Sequence, residues 1–88
     1  MSIQKSEVEI QAVNLAQQWY SLPAADLPNL PTLLLQYTKC FHEDEDKSAF
    51  LKETLRIAKE LVDGPKSQMD RTESFEHFKE VIEQHPAY

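Results

Sequence analysis

Phe50 to Val62 reads FLKETLRIAKELV, and this stretch limits the fold more than any other. Wound at about 3.6 residues per turn, Phe50, Leu51, Thr54, Leu55, Ile57, Ala58, Leu61 and Val62 fall on one half of the cylinder. Lys52, Arg56 and Lys59 line one edge of the polar half, and Glu53 and Glu60 line the other. An apolar arc that wide needs cover on more than one side. At least two further elements must therefore pack on this helix.

The same periodicity predicts an all-α, compact four-helix domain over residues 1–88, with helices at about 7–20, 31–41, 46–63 and 72–84. Ser6 followed by Glu9 fits a capping box for the first helix. Its apolar stripe is Val8, Ala12, Leu15, Ala16 and Trp19, widened by Val13 and Tyr20. Gln11, Asn14, Gln17 and Gln18 occupy the opposite face, and Ile10 points outward among them. Ser21 to Pro31 is a Pro-rich connector: Pro23, Pro28 and Pro31 oppose a continuous helix, leaving room for one short turn at Ala24 to Leu27. Leu22, Leu27 and Leu30 can each bury.

The second helix starts at Pro31 or Thr32 and runs to about Phe41. Leu33, Leu34, Leu35, Tyr37, Cys40 and Phe41 point in nearly every direction, which predicts a central helix between the first and the third. The acidic break HEDED follows, with Asp44 or Asp46 as the cap of the third helix. Gly64 and Pro65 end that helix. After a polar loop containing Met69, the fourth helix starts beyond Asp70 or Thr72. It buries Phe75, Phe78, Val81 and Ile82, with His85 on the same side.

Composition excludes several function classes. The net charge of −6 opposes binding to nucleic acid or to anionic membrane surfaces. The longest apolar run is Leu33-Leu34-Leu35, so no membrane insertion is expected. The N-terminus, MSIQKSEVE, carries charge where a signal peptide needs its apolar stretch. A single cysteine, Cys40, fits a reducing, cytoplasmic setting. Gly64 is the sole glycine, which disfavours phosphate-cradling loops.

Catalytic and metal chemistry find little to build on. His77 lies one turn after Glu73 and three residues before Glu80, a spacing that a carboxylate–histidine site could use. The paired Glu-x-x-His pattern of helical di-iron sites is missing, because Lys39, Ser74 and Ile82 stand three residues before His42, His77 and His85. A calcium loop from Asp44 onward would need glycine where Ala49 stands and glutamate where Leu55 stands. Cys40 reads as an inert core thiol inside an apolar helix. No cofactor is expected, and the chain is expected not to be an enzyme.

Partner binding is the expectation that remains. From Ile10 to Thr38 the only charged residue is Asp26. Burial can explain that, and so can a contact face made of Ile10, Gln11, Asn14, Gln17, Gln18 and Leu22, because uncharged surface is cheaper to desolvate. Glu73, Glu76, Glu80 and Glu83 form an acidic ridge on the fourth helix; Lys52, Arg56 and Lys59 can offset it across a helical hairpin, or a basic partner can. Leu30-Pro31-Thr32-Leu33-Leu34 has the leucine spacing of groove-docking helices, but core packing accounts for it better. Trp19-Tyr20 offers either a binding anchor or the main core residue. The sequence thus predicts a non-enzymatic protein-binding domain, a small regulatory or adaptor subunit with a protein partner. Homo-oligomerisation is compatible with it. The alternatives are an acidic antagonist of the immunity type masking a basic surface, and a carboxylate–histidine metal protein or enzyme.

Overall fold

The computed structural model describes residues 5–64 and 72–88. The order of elements is α1 (Lys5–Tyr20), a 3-10 helix (Ala24–Asn29), α2 (Leu30–Thr38), α3 (Asp44–Asp63) and α4 (Thr72–Glu83). The fold is all-α with four α-helices and no strand among the described residues. No described helix is long and apolar enough to cross a membrane.

α3 is the longest element, and its apolar arc is covered from more than one side. α1 lies against it most extensively, and α4 packs on it as well. Phe50, Leu51, Thr54 and Ala58 are buried, whereas Leu55, Ile57, Leu61 and Val62 flank the core half-buried. Leu55 is therefore not the fully buried centre that its place in the arc suggests. Thr54 survives full burial because its hydroxyl donates to the Phe50 carbonyl at 2.7 Å. Ala12 and Ala16 on α1 and Ala58 on α3 are fully buried. Small side chains let two helix backbones approach closely, and this pairing uses them from both sides.

α2 is not the central helix. Only Leu30, Leu34 and Thr38 are buried on it, and Leu35 is 51% exposed. The reason is length. Nine residues span about 14 Å, whereas the 16 of α1 span about 24 Å and the 20 of α3 about 30 Å. α1 can cover most of the length of α3, and α2 less than half of it. α2 also stops at Thr38 rather than near Phe41. Tight bonds from Cys40 N to Tyr37 O and from Phe41 N to Thr38 O, both 3.1 Å, turn the chain. The turn leaves Cys40 exposed and brings Phe41 onto Phe50, ring centroids 5.1 Å apart. The expectation of a core thiol at Cys40 is thus corrected.

Helix ends depart from the expected caps. α1 begins at Lys5, so Ser6 lies inside the helix and not at its cap. α3 is preceded by Glu43 in extended conformation with no side-chain capping bond; Asp44 and Asp46 sit within the first turn, where their charge favours the helix dipole. Gly64 follows α3 with φ −65° and ψ 147°, so that stop uses no left-handed backbone. Pro65, Met69 and Asp70 lie outside the described residues. The connector is more ordered than a single turn: its 3-10 helix runs on through Pro28 to Asn29.

Trp19 ties α1 to α4. It is fully buried and stacks on Phe78 at 5.0 Å with the planes 7° apart; Phe75 meets it edge-on at 6.2 Å. Its indole N–H donates to Ser74 Oγ at 3.1 Å. The core reading of Trp19 therefore holds, and the residue is closed to a partner.

Candidate functional site

The outward side of α1 is set by its inward side. With Val8, Ala12, Leu15, Ala16 and Trp19 buried, Ile10, Val13, Asn14 and Gln17 are left facing solvent at helical spacing. Ile10 is 53% exposed and Val13 36% exposed. Val13, expected to widen the core stripe, belongs to the surface instead.

The other residues of the expected contact face have internal duties. Gln18 accepts a hydrogen bond from the Tyr37 hydroxyl at 2.8 Å and so holds α2 to α1. Gln11 donates to Glu7 at 3.1 Å along its own helix. Leu22 is half-buried against the core. Gln18 stays exposed while making that bond, so the open surface is Ile10, Val13, Asn14, Gln17 and Gln18, with Gln11 and Leu22 half-buried at its edge. Tyr37 pays for its place partly in acidity: burial, and secondarily the nearby Cys40, push its phenol above the ordinary value.

On α4 the ridge of Glu73, Glu76, Glu80 and Glu83 is exposed throughout. Among the described residues, no close ion pair joins the ridge to Lys52, Arg56 or Lys59, although all three line a groove with Glu76. Arg56 turns to its own helix, donating from Nε to Glu53 at 2.8 Å and from Nη1 to Glu60 at 2.7 Å. The hydrogen-bonded Glu53 carboxylate, by that bond and by its charge, holds the guanidinium above its ordinary value, with Glu60 and Glu9 adding to it. Neighbours three and four residues away on one helix are simply nearer than the facing helix. Lys52, Lys59, Glu76 and Lys79 instead line an open groove of about 480 Å³ between α3 and α4. Lys52 also sits 5.9 Å from the centre of the Tyr88 ring.

A second, more apolar groove of about 610 Å³ lies between α2, the start of α3 and the turn after α4. Pro31, Leu34, Leu35, Val81, Pro86 and Ala87 form its apolar lining. Lys39, Lys47, Asp44 and His85 stand among these. Sequence periodicity misses this groove, because Leu35 reads as core and the turn after α4 has no period.

Among the described residues, no three of histidine, cysteine, aspartate and glutamate come together as a metal-binding group. His77 is exposed on α4 beside the ridge. The leucine spacing at the start of α2 is taken up internally, since Leu30 and Leu34 are buried and Leu33 is half-buried. The chain matches no known protein family, no curated protein and no solved structure.

Proposed function

We propose that the chain is a non-enzymatic protein-binding domain, a small regulatory or adaptor subunit of the cytoplasm that works through a helical surface. The observation that carries this reading is the outer face of α1, where Ile10 and Val13 are exposed beside the uncharged Asn14 and Gln17. In a chain of net charge −6, such a patch is the cheapest surface to desolvate. Amides both donate and accept, so Asn14 and Gln17 can adapt to a partner backbone. An exposed free thiol at Cys40 suits a reducing compartment.

The test places charge on the patch. Ile10→Lys with Gln17→Glu leaves helicity and melting nearly unchanged, because both side chains are exposed. The pair abolishes capture of a partner that has been identified by mass spectrometry and re-bound in purified form. A second reading, the acidic antagonist, is supported by the exposed α4 ridge that no described ion pair from α3 offsets. Binding through the ridge falls steeply with salt, whereas binding through the neutral patch changes little. If Glu76→Lys with Glu80→Lys abolishes binding and the α1 variant does not, the ridge is the contact.

A further inference from the structure

Four large apolar side chains are exposed among the described residues: Ile10, Val13, Leu35 and Tyr88. Three of them fall on two surfaces of complementary form. Ile10 and Val13 make a convex ridge on α1, one helical turn apart. Leu35 forms part of the lining of the apolar groove between α2 and α4.

The charges at these surfaces are complementary as well. Glu7 and Glu9, both exposed, precede Ile10 in the first turns of α1, and Glu7 also accepts from Gln11 at 3.1 Å. The groove holds Lys39 and Lys47 against one carboxylate, Asp44, in a chain where acids outnumber bases by 15 to 9. Asp44 does little to neutralise them: it is 90% exposed and meets Lys47 only at 3.8 Å. Lys39 makes no ion pair among the described residues. His85 accepts the Ala87 N–H on Nδ1 at 3.0 Å, which leaves Nε2 to carry the proton of the neutral ring as a further donor. The Thr38 hydroxyl is already committed to the Leu35 carbonyl at 3.0 Å and adds no claim on a ligand. The groove thus suits a helix that presents two apolar side chains one turn apart with carboxylates beside them.

We infer that the groove takes α1 of a second copy of this chain, with Ile10 and Val13 seated on Leu34, Leu35 and Val81 and with Glu7 and Glu9 set against Lys39 and Lys47. The inference rests on the reading of α1 as a contact face and names its partner. The contact is heterologous: face and groove are different surfaces, so each copy keeps one of each free and association proceeds head to tail. Two copies carrying −6 each repel at long range. Local pairing of glutamate with lysine concentrates the attraction at this one orientation.

Complementation by two variants separates this arrangement from every other. One variant, Ile10→Lys with Val13→Lys, loses the face and keeps the groove. The other, Leu35→Glu with Lys39→Glu, loses the groove and keeps the face. All four side chains are exposed, and circular dichroism melting verifies that both variants fold. In sedimentation equilibrium from about 10 µM to 1 mM, corresponding to contacts of about −7 to −4 kcal/mol, the average mass of the unchanged chain rises with concentration. Each variant alone stays monomeric, with association weakened at least tenfold. An equimolar mixture forms a one-to-one complex that grows no further. Retained association in the groove variant, lost only in the face variant, overturns the inference while leaving α1 as a contact face that pairs with itself. A monomeric unchanged chain throughout also overturns it, and leaves the capture of a different protein by α1 to its own experiment.

Discussion

Leu51 and Leu55 stand one turn apart on α3, and the fold assigns them different weights. Leu51 is fully buried, whereas Leu55 is half-buried at the flank beside the α3–α4 groove. Truncating a fully buried leucine to alanine removes its transfer free energy and leaves a cavity, together about 2–5 kcal/mol. At about 0.05–0.15 kcal/mol per residue, the 88 residues have a total stability of roughly 4–13 kcal/mol. Leu51→Ala therefore removes a large share of it, roughly a sixth at the least. Leu55 gives up less transfer free energy, and the open groove leaves no enclosed void, so Leu55→Ala costs about 1–2 kcal/mol. The assay is built into the chain. Trp19 is the single tryptophan and is fully buried against Phe78, so its emission reports exposure of the core during urea unfolding. With a slope of about 1 kcal/mol per molar urea for a domain this small, Leu51→Ala lowers the midpoint by about 2–5 M, and Leu55→Ala by about 1–2 M. Equal shifts, or a larger shift for Leu55, would refute the placement of α1 and α4 on α3.

Ser74→Ala strands the buried Trp19 N–H and costs about 1–3 kcal/mol by the same urea assay, more than an exposed serine would. A thiol reagent labels Cys40 fully in the folded protein without denaturant; labelling that waits for unfolding would place the thiol inside. Tyr37 adds a pH dependence of defined sign. Its phenol is raised in the folded state, by burial first and by Cys40 second. Its contribution is therefore complete below the unfolded value near pH 10 and is lost as pH rises through the higher folded value, a drop that Tyr37→Phe removes. A stability difference between the two proteins that stays flat with alkaline pH would count against the buried setting of Tyr37.

The parts legible in the sequence are those fixed by period and by side-chain volume. The long stripe of α3, the inward stripe of α1 and the Phe78–Ile82 face of α4 need only helical spacing to be read. What spacing cannot supply is which helix covers which. Leu35 and Cys40 look like core because their neighbours are apolar, and only the shortness of α2 shows that they are not. The same holds for charge. Lys52, Arg56 and Lys59 seem made for Glu76 and Glu80, yet Arg56 satisfies itself within its own turn. Of the expected α1 face, Ile10, Asn14, Gln17 and Gln18 stay exposed, and Gln18 also accepts from Tyr37, a contact between residues that no local pattern connects.

The pairing of α1 with α3 also sets an order of events in time. Among the described elements, the largest contact joins helices that are separated in the chain by the 3-10 helix and all of α2. During synthesis at about 5–20 residues per second, the stretch from the end of α1 to the end of α3 takes roughly 2–9 seconds to appear. For that interval the inward stripe of α1 lacks α3, Trp19 waits longer still for Phe75 and Phe78 of α4, and an isolated helix of 16 residues is marginal in water. The newborn chain therefore carries an incompletely covered aromatic and aliphatic stripe for seconds before its main partner emerges, and α1 is open to a chaperone in that interval.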